Sequence, residues 1–272
     1  MHVHSYFSDG SLTPEEIVEA AKKNNVGVLA VADHNFLEGC LLTRELCADN
    51  GIICIPAVEI DTLDGENHLH VLAYGFDVNN ARFRDFLAHT RSILFETNDK
   101  LIKAMEKDYD TISAADYNDF IYDRRLGGWK SLHYLMAKGL TATLREGLIF
   151  YSRYNITHNK MNYSPVNAAV REIHQAGGYA VLAHPGEHNM INMNSLDIFQ
   201  SEATRILEYG LDGIECYYPA HSEAITRICL DLCSEKDLLI TAGSDCHGSF
   251  GKTRLGEMNI PVERLVLKDL LA

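Results

Sequence analysis

Short, nearly continuous runs of hydrophobic residues recur along the chain, and most of them end in polar residues. Residues 26–32 form such a run, which Asp33-His34-Asn35 follows. A run of this kind is typical of a strand that is buried on both faces. Before it, Thr13-Pro14-Glu15-Glu16 has the N-cap, proline and acidic first turn of a helix start. This alternation of strand and helix predicts an α/β fold with a mostly parallel sheet.

The same pattern continues along the chain, with one interruption. Asp64-Gly65 predicts a hairpin, whereas residues 79–164 contain no strand-like run and predict helices. We therefore assign residues 1–78 and 165–272 to the α/β unit and 79–164 to a helical insertion. Strands are predicted at 2–4, 26–32, 52–58, 68–74, 179–183, 213–216 and 238–242. About seven strands fit a closed or distorted barrel, whose active site lies at the C-terminal ends of its strands.

The first ten residues contain the most distinctive candidate chemistry. In a short strand, His2 and His4 point to the same face, so their imidazoles converge as two ligands of one metal ion. Asp9, in a turn closed by Gly10, offers a carboxylate oxygen. Taken alone, two such histidines are more often incidental.

Further polar residues occur at or just after other predicted strand ends. Each has a structural explanation on its own, such as a cap or a turn. Together at one edge of a barrel they would be costly to bury, unless divalent cations were bound among them. The complete set is His2, His4, Asp9, His34, Glu59, His70, His184, Asp245 and His247.

Composition restricts the remaining possibilities. With 24 basic and 38 acidic residues, the net charge of −14 disfavours a general groove for nucleic acid. Seven cysteines without a Cys-x-x-Cys spacing favour neither a disulfide framework nor a thiolate zinc site, and fit the cytoplasm. No stretch is apolar for the length of a membrane span, and no obligate protein partner is evident.

The order of these motifs resembles the polymerase and histidinol phosphatase (PHP) superfamily, most of all its stand-alone metal-dependent phosphoesterases. The resemblance covers residues 1–75 and 165–257 and implies a distorted (β/α)7 barrel of PHP type with a helical cap. The matching motifs are His-Val-His-Ser at 2–5, Ser-Asp-Gly at 8–10, Ala-Asp-His at 32–34, Glu59, His70 ahead of Leu-Ala-Tyr, Ala-His-Pro at 183–185 and Gly-Ser-Asp-Cys-His at 243–247.

Carried over by position, the resemblance implies two to three divalent ions of the Mn, Fe or Zn class in a trinuclear centre. The first would be held by His2, His4, Glu59 and Asp245. The second would be held by Glu59, His70 and His184, with Glu59 bridging, and the third by Asp9, His34 and His247. Many relatives have histidine at the position of Asp9, so the third site would favour manganese or iron over zinc. His68 is a rival of His70, since both face the same way.

The implied reaction is attack on phosphorus by a hydroxide that bridges two of the metals. His221 is our candidate for the acid that protonates the leaving oxygen. Residues 122–160 carry seven basic and two acidic residues, a net charge of +5 that would attract an anion, although a solvated helical surface explains it equally well. Lys130, His133, Lys252 and Arg254 are candidate phosphate-binding residues.

The predicted function is hydrolysis of a small phosphorylated metabolite or nucleotide: a phosphomonoester, a nucleoside bisphosphate or a cyclic phosphate diester. An alternative is a 5′-3′ exonuclease on short RNA or DNA, although no stripe of aromatic and basic residues for base stacking is evident. An alternative of another class is a non-catalytic metal-binding PHP module. Amide hydrolysis is disfavoured, because no lysine is placed as a carbamylated bridge between metals.

Overall fold

The computed structural model describes residues 1–187, 191 and 195–271, which form an α/β fold of two sheets flanked by helices. The predicted α/β class is confirmed. The strands are β1 (Val28–Leu29), β2 (Ile53–Cys54), β3 (Ala57–Asp64), β4 (Asn67–Tyr74), β5 (Tyr179–Leu182), β6 (Gly213–Tyr217) and β7 (Leu239–Ala242).

The strand pairing is less regular than a seven-stranded parallel barrel. The larger sheet has the order β3-β4-β5-β6-β7 and contains both antiparallel and parallel pairs, while β1 and β2 form a separate parallel pair. The β3–β4 pair is antiparallel because the predicted Asp64-Gly65 hairpin joins it. The predicted first strand is reduced to single bridges from Val3 to Val31 and Cys246, and a further bridge joins His34 to Glu59.

The helices lie close to the positions that the hydrophobic pattern predicts. In α1 the Thr13 side chain accepts a hydrogen bond from the Glu16 N–H, and Glu16 accepts one from the Thr13 N–H, which forms a capping box. The helices are α1 (Pro14–Lys23), α2 (Glu38–Ala48), α3 (Ala81–Met105), α4 (Ala114–Asp119), α5 (Lys130–Ala137), α6 (Ile149–Arg153), α7 (Val166–Gln175), α8 (Leu196–Leu207) and α9 (Glu223–Glu235). Short 3-10 helices lie at Arg124–Leu126, Arg145–Leu148, His158–Lys160, Val262–Arg264 and Lys268–Leu271.

The buried apolar residues form several clusters, and helix α3 of the insertion contributes to two of the largest. The larger core joins apolar residues of β3 to β6 to helices α3, α7, α8 and α9 and includes Val71, Ile173 and Phe199. Within the insertion, α3, α5 and α6 enclose their own cluster, with Leu101 and Leu132 fully buried. No helix of the described residues is both long enough and apolar enough to cross a membrane.

Candidate metal centre

The imidazoles of His2 and His4 converge as the two-residue spacing predicts. Both side chains are fully buried, and their Nε2 atoms lie 3.1 Å apart. Val3 between them points the opposite way, into a hydrophobic cluster with Val31 and Cys246. The alternation of side chains along one extended segment thus directs both histidines to one point.

Glu59 and Asp245 complete the first predicted set of ligands. Glu59 Oε2 lies 3.2 Å from the Nε2 atoms of both His2 and His4, and Asp245 Oδ1 lies 2.9 Å from His4 Nε2. Ligands of a tetrahedral ion at about 2.0–2.2 Å from the metal lie about 3.3–3.6 Å from one another. The spacing of these four atoms therefore comes close to that of a metal site.

The second predicted set uses the other oxygen of Glu59. Glu59 Oε1 lies 2.9 Å from His70 Nδ1 and 2.8 Å from His184 Nε2. Because Oε2 faces His2 and His4, the two oxygens of this carboxylate face two different ligand groups. That is the arrangement of a bridging carboxylate. The sequence pattern had placed Glu59 at the end of a strand, whereas it is the third residue of β3.

The third predicted set also assembles, with one addition. His247 Nε2 lies 3.3 Å from Asp9 Oδ1, and Asp9, His34 and His247 form a group of potential ligands that also includes His4. His4 Nδ1 is 3.6 Å from Asp9 Oδ1. His4 therefore lies between the first and third groups. The structure brings all nine predicted ligands together in three adjoining groups, with Glu59 and His70 inside strands and not at their ends.

Burial and neighbouring charges shift the pKa values of this cluster in opposite directions. Burial lowers the pKa of His2, but the carboxylates of Glu59, Glu215 and Asp245 outweigh it and raise that pKa well above 6.5. Burial favours the neutral form of Glu59, yet the surrounding histidines hold its pKa well below the usual range. His34 differs, since burial lowers its pKa to about 4 and keeps the imidazole neutral.

Unpaired buried atoms indicate that a cation fits here. Asp9 Oδ1, His34 Nδ1 and Asp245 Oδ1 are buried, and among the described residues none has a partner at hydrogen-bonding angles. Buried polar atoms are normally satisfied, so several exceptions in one cluster require an explanation. Imidazole nitrogens and carboxylate oxygens suit Zn, Fe or Mn, and such ions would satisfy these atoms.

Two buried carboxylates that the sequence analysis did not select lie beside the segments that carry the candidate ligands. Glu215, in β6, accepts a hydrogen bond from His2 Nδ1 at 3.2 Å and another from the His184 N–H at 3.0 Å. Asp33 accepts hydrogen bonds from the hydroxyls of Ser5 and Ser8. Glu215 thereby fixes the tautomer and orientation of His2, whereas Asp33 orders the serines of the segment that carries His4 and Asp9. Two features of the sequence could have revealed them: Glu215 is an acidic residue inside a buried strand, and Asp33 directly precedes His34.

A third buried carboxylate, Asp61, decides between His68 and His70. His68 Nε2 lies 2.8 Å from Asp61 Oδ1, whereas His70 reaches Glu59 through Nδ1 and lies 3.4 Å from Asp61 through Nε2. The geometry therefore favours His70 as the ligand. His68 instead stacks on His158 of the insertion, at 4.7 Å between ring centroids. Asp61, His68 and His158 form a further group of potential ligands that the sequence did not reveal.

His221 lies close to the ligands but has both ring nitrogens engaged. Its Nε2 accepts the Gly186 N–H at 3.0 Å, and its Nδ1 lies 3.0 Å from the Cys216 carbonyl oxygen. Burial lowers its pKa, which favours a neutral ring. This bonding positions the turn after His184 and argues against an acid at this residue. Its role as the acid stays a prediction.

Of the four predicted phosphate-binding residues, two bond to backbone carbonyls and two are exposed. His133 Nε2 lies 2.7 Å from the Gly127 carbonyl oxygen and is buried, and Lys130 Nζ donates to the Asn118 carbonyl at 3.0 Å. Lys252 and Arg254 are exposed. Between them, the Thr253 hydroxyl donates to the Asp245 carbonyl at 3.0 Å. Phosphate binding by these residues stays a prediction.

Among the described residues, two of the seven basic residues at 122–160 form ion pairs. Arg125 forms an ion pair with Glu16, and Lys138 with Asp116. Arg145 donates to the Phe250 carbonyl at 3.1 Å. Arg125 and Arg145 thereby link the insertion to α1 and to Phe250, and the ion pairs compensate the charges of Arg125 and Lys138.

Fold and site together define the class: an α/β protein with a candidate metal centre made of imidazoles and carboxylates. Comparison with known proteins gives the family. The PHP domain matches residues 1–245, and the chain belongs to this family. The resemblance of the motifs is thus confirmed.

Two relatives and one solved structure illustrate the similarity. Phosphoribosyl 1,2-cyclic phosphate 1,2-diphosphodiesterase of Eggerthella lenta is 30% identical over 261 residues, which cover 93% of this chain and 95% of that protein. A 5′-3′ exoribonuclease of Haemophilus influenzae is 27% identical and covers 94% of this chain and 92% of its own. A protein of Bifidobacterium adolescentis described as a metal-dependent phosphoesterase shares the fold, with a TM-score of 0.76 and 24% identity over 94% of this chain and 90% of its own.

Proposed function

We propose that this chain is a metal-dependent phosphoesterase, a hydrolase that cleaves a phosphate ester bond of a small phosphorylated metabolite or nucleotide. The observation that carries the proposal is the position of Glu59, whose two oxygens lie within 3.2 Å of four histidines in two ligand groups. The names of both relatives describe cleavage of phosphate esters, which supports the same class of reaction.

The ligand groups would hold two to three divalent ions. His2, His4, Glu59 and Asp245 would hold the first, and Glu59, His70 and His184 the second. Asp9, His34 and His247 would hold the third, where the carboxylate of Asp9 favours manganese or iron. Bound cations supply an activated water and neutralise charge on the phosphoryl oxygens.

The chain itself orients these ligands and shapes one side of the site. Glu215 fixes His2 so that its Nε2 faces the ligand group. On the insertion side, the Gly128 N–H donates to the Asp9 carbonyl at 2.8 Å. The Trp129 ring lies 6.2 Å from that of His34. The loop 127–129 therefore covers the third ligand group and would restrict the access of water and substrate.

We also propose the domain division and barrel architecture that the sequence suggested. Val3 forms bridges with Val31 and Cys246, and His34 forms one with Glu59. These bridges link the two sheets beside the candidate ligands, as a distorted barrel would require. The hydrophobic cluster within the insertion supports the assignment of residues 79–164 as a cap.

The experiment compares substrates and metals directly. Adenosine 3′,5′-bisphosphate, a ribose 1,2-cyclic phosphate ester and a 5′-phosphorylated RNA trimer are incubated with protein treated with EDTA and then resupplied with Mn²⁺, Fe²⁺ or Zn²⁺. We expect release of phosphate or opening of the cyclic ester. Chelation should abolish this activity, and addition of a divalent ion should restore it.

The outcome also separates the alternatives. Faster cleavage of the trimer than of both small esters would favour the exonuclease. No cleavage of any substrate by protein that retains bound ions would instead support a non-catalytic metal-binding module and would refute the proposal.

A further inference from the structure

A small cavity lined by aromatic side chains lies between the start of the chain and the insertion. It has a volume of about 200 Å³. This volume is below the range of about 300–1,000 Å³ that is typical for whole drug-sized ligands, so it suits one flat ring system. Its aromatic residues are Phe7, Phe36, Phe95, Tyr117, Tyr122 and Trp129.

The cavity shares a wall with the candidate metal centre. Trp129 lines the cavity, and its ring lies 6.2 Å from the ring of His34, a candidate ligand. Phe7 and Ser8 line the cavity immediately before Asp9 in the chain, and Gly128 next to Trp129 donates to the Asp9 carbonyl. A ligand with one end in the cavity would therefore have its other end close to the ligand groups.

Polar groups at the edge of the cavity add specificity to the aromatic surface. The Asn98 side chain is only 3% exposed, and its Oδ1 accepts hydrogen bonds from the hydroxyls of Tyr151 and Ser131. Its Nδ2 has no hydrogen-bond partner among the parts of the chain that the structure describes. Arg124 and Lys130 bring positive charge to the same cavity, with Lys130 Nζ 4.7 Å from the Tyr117 ring centroid.

We propose that this cavity binds the nucleobase of the substrate, so that the phosphate ester is a nucleotide and not a base-free sugar phosphate. The inference deepens the proposed function and rests on it. Stacking on aromatic rings accepts any base, because every base has a π-face. The Asn98 amide donor would pair with an acceptor on the base edge. An aliphatic phosphate ester would leave this aromatic surface without a partner.

A binding measurement tests base recognition independently of catalysis. Trp129 is the one tryptophan of the 272-residue chain, so its fluorescence reports on this cavity alone. The full-length protein is titrated with adenosine, which lacks a phosphate ester, and with ribose 5-phosphate, which lacks a base. We expect saturable quenching by adenosine and none by ribose 5-phosphate. Absence of saturable quenching by adenosine, or equal quenching by both, would overturn the proposal.

Kinetics of matched variants test whether the bound base contributes to turnover. Trp129→Leu removes the π-surface and Trp129→Phe keeps it. The ratio of kcat/KM for adenosine 3′,5′-bisphosphate to that for ribose 5-phosphate is expected to fall about 10- to 100-fold in the leucine variant and much less in the phenylalanine variant. Equal ratios in the wild type and both variants would refute the assignment. If neither ester is hydrolysed, the proposed function fails, whereas the fluorescence titration still decides base binding.

Discussion

The metal centre and the loop 127–129 beside it hold their residues in different ways. His2, His4 and Glu59 are fixed by backbone pairing of strands and bridges, and all three are at most 1% exposed. The loop takes no part in strand pairing: it contains two glycines with φ of 72° and is held by individual hydrogen bonds, such as those from His133 to the Gly127 carbonyl and from Gly128 to Asp9.

This difference assigns separate tasks to the two regions. The buried candidate ligands would provide the chemistry of phosphate ester cleavage, which requires accurate placement. The loop and the aromatic cavity next to it select the ester. Changes at the centre should therefore abolish metal binding and activity together, whereas changes at the loop should alter substrate preference and leave bound metal in place.

The largest effect is expected at the shared carboxylate. Glu59→Gln removes the charge that faces two ligand groups, and it should eliminate at least one bound ion. It should also lower kcat by about 10³-fold or more, because metal catalysis is worth several kcal/mol. Metal content by plasma mass spectrometry and kcat are measured on the same sample. His89→Ala, at an exposed histidine of α3, is the control and should change neither value. A Glu59 variant with full metal content and full activity would contradict the bridging role.

A smaller effect is expected at Glu215, whose carboxylate accepts a hydrogen bond from His2 Nδ1. Glu215→Gln keeps the volume but removes the charge that orients the Nδ1 side of His2. Metal affinity should fall about 10- to 100-fold, as is usual for partners of ligating histidines. Competition with a chelating dye measures this affinity. Unchanged affinity would show that Glu215 only stabilises the fold.

Proton competition gives a pH dependence of defined sign. Burial lowers the pKa of His247, but Asp9 and Asp245 together raise it to about 10, so this imidazole is protonated at neutral pH. An ion must displace that proton, and metal affinity should therefore rise with pH, by up to about tenfold per pH unit for one proton released. Calorimetry in buffers of different ionisation enthalpy counts the released protons. An affinity that falls between pH 6 and 8 would contradict the assignment of His247 as a ligand.

The loop should respond differently from the centre. A Cβ at Gly127 would lie 2.4 Å from Phe250 Cβ, and its φ is unfavourable for alanine. Gly127→Ala should therefore displace the loop and lower kcat/KM for nucleotides about tenfold, because strain of this kind costs about 1–3 kcal/mol. Metal content should remain that of the wild type. Loss of metal in this variant would mean that the loop supports the centre itself.

The smallest effect is expected at His221. Because both ring nitrogens bond to backbone groups, His221→Ala should lower kcat only several-fold, and equally for a p-nitrophenyl ester and an alkyl ester. A loss confined to the alkyl ester, whose leaving group needs a proton, would instead support the acid role.

The grouping of the nine candidate ligands could be predicted from sequence because local patterns determine their placement. The alternation of His2-Val3-His4 and the polar ends of buried strands bring distant residues to one edge. Glu215, Asp61 and Trp129 could not be assigned in the same way, because their roles depend on which neighbours the folded chain brings to them. The pairing of Arg125 in the insertion could not be predicted for a related reason, since its partner Glu16 is 109 residues away.

Anomalous diffraction from crystals soaked in Mn²⁺ tests the central claim most directly, because it locates the ions relative to Glu59. The account predicts a peak within coordination distance of Glu59 Oε2, His2 and His4, and a second peak at Glu59 Oε1, His70 and His184. A single peak away from Glu59, or no peak among the nine residues, would contradict it.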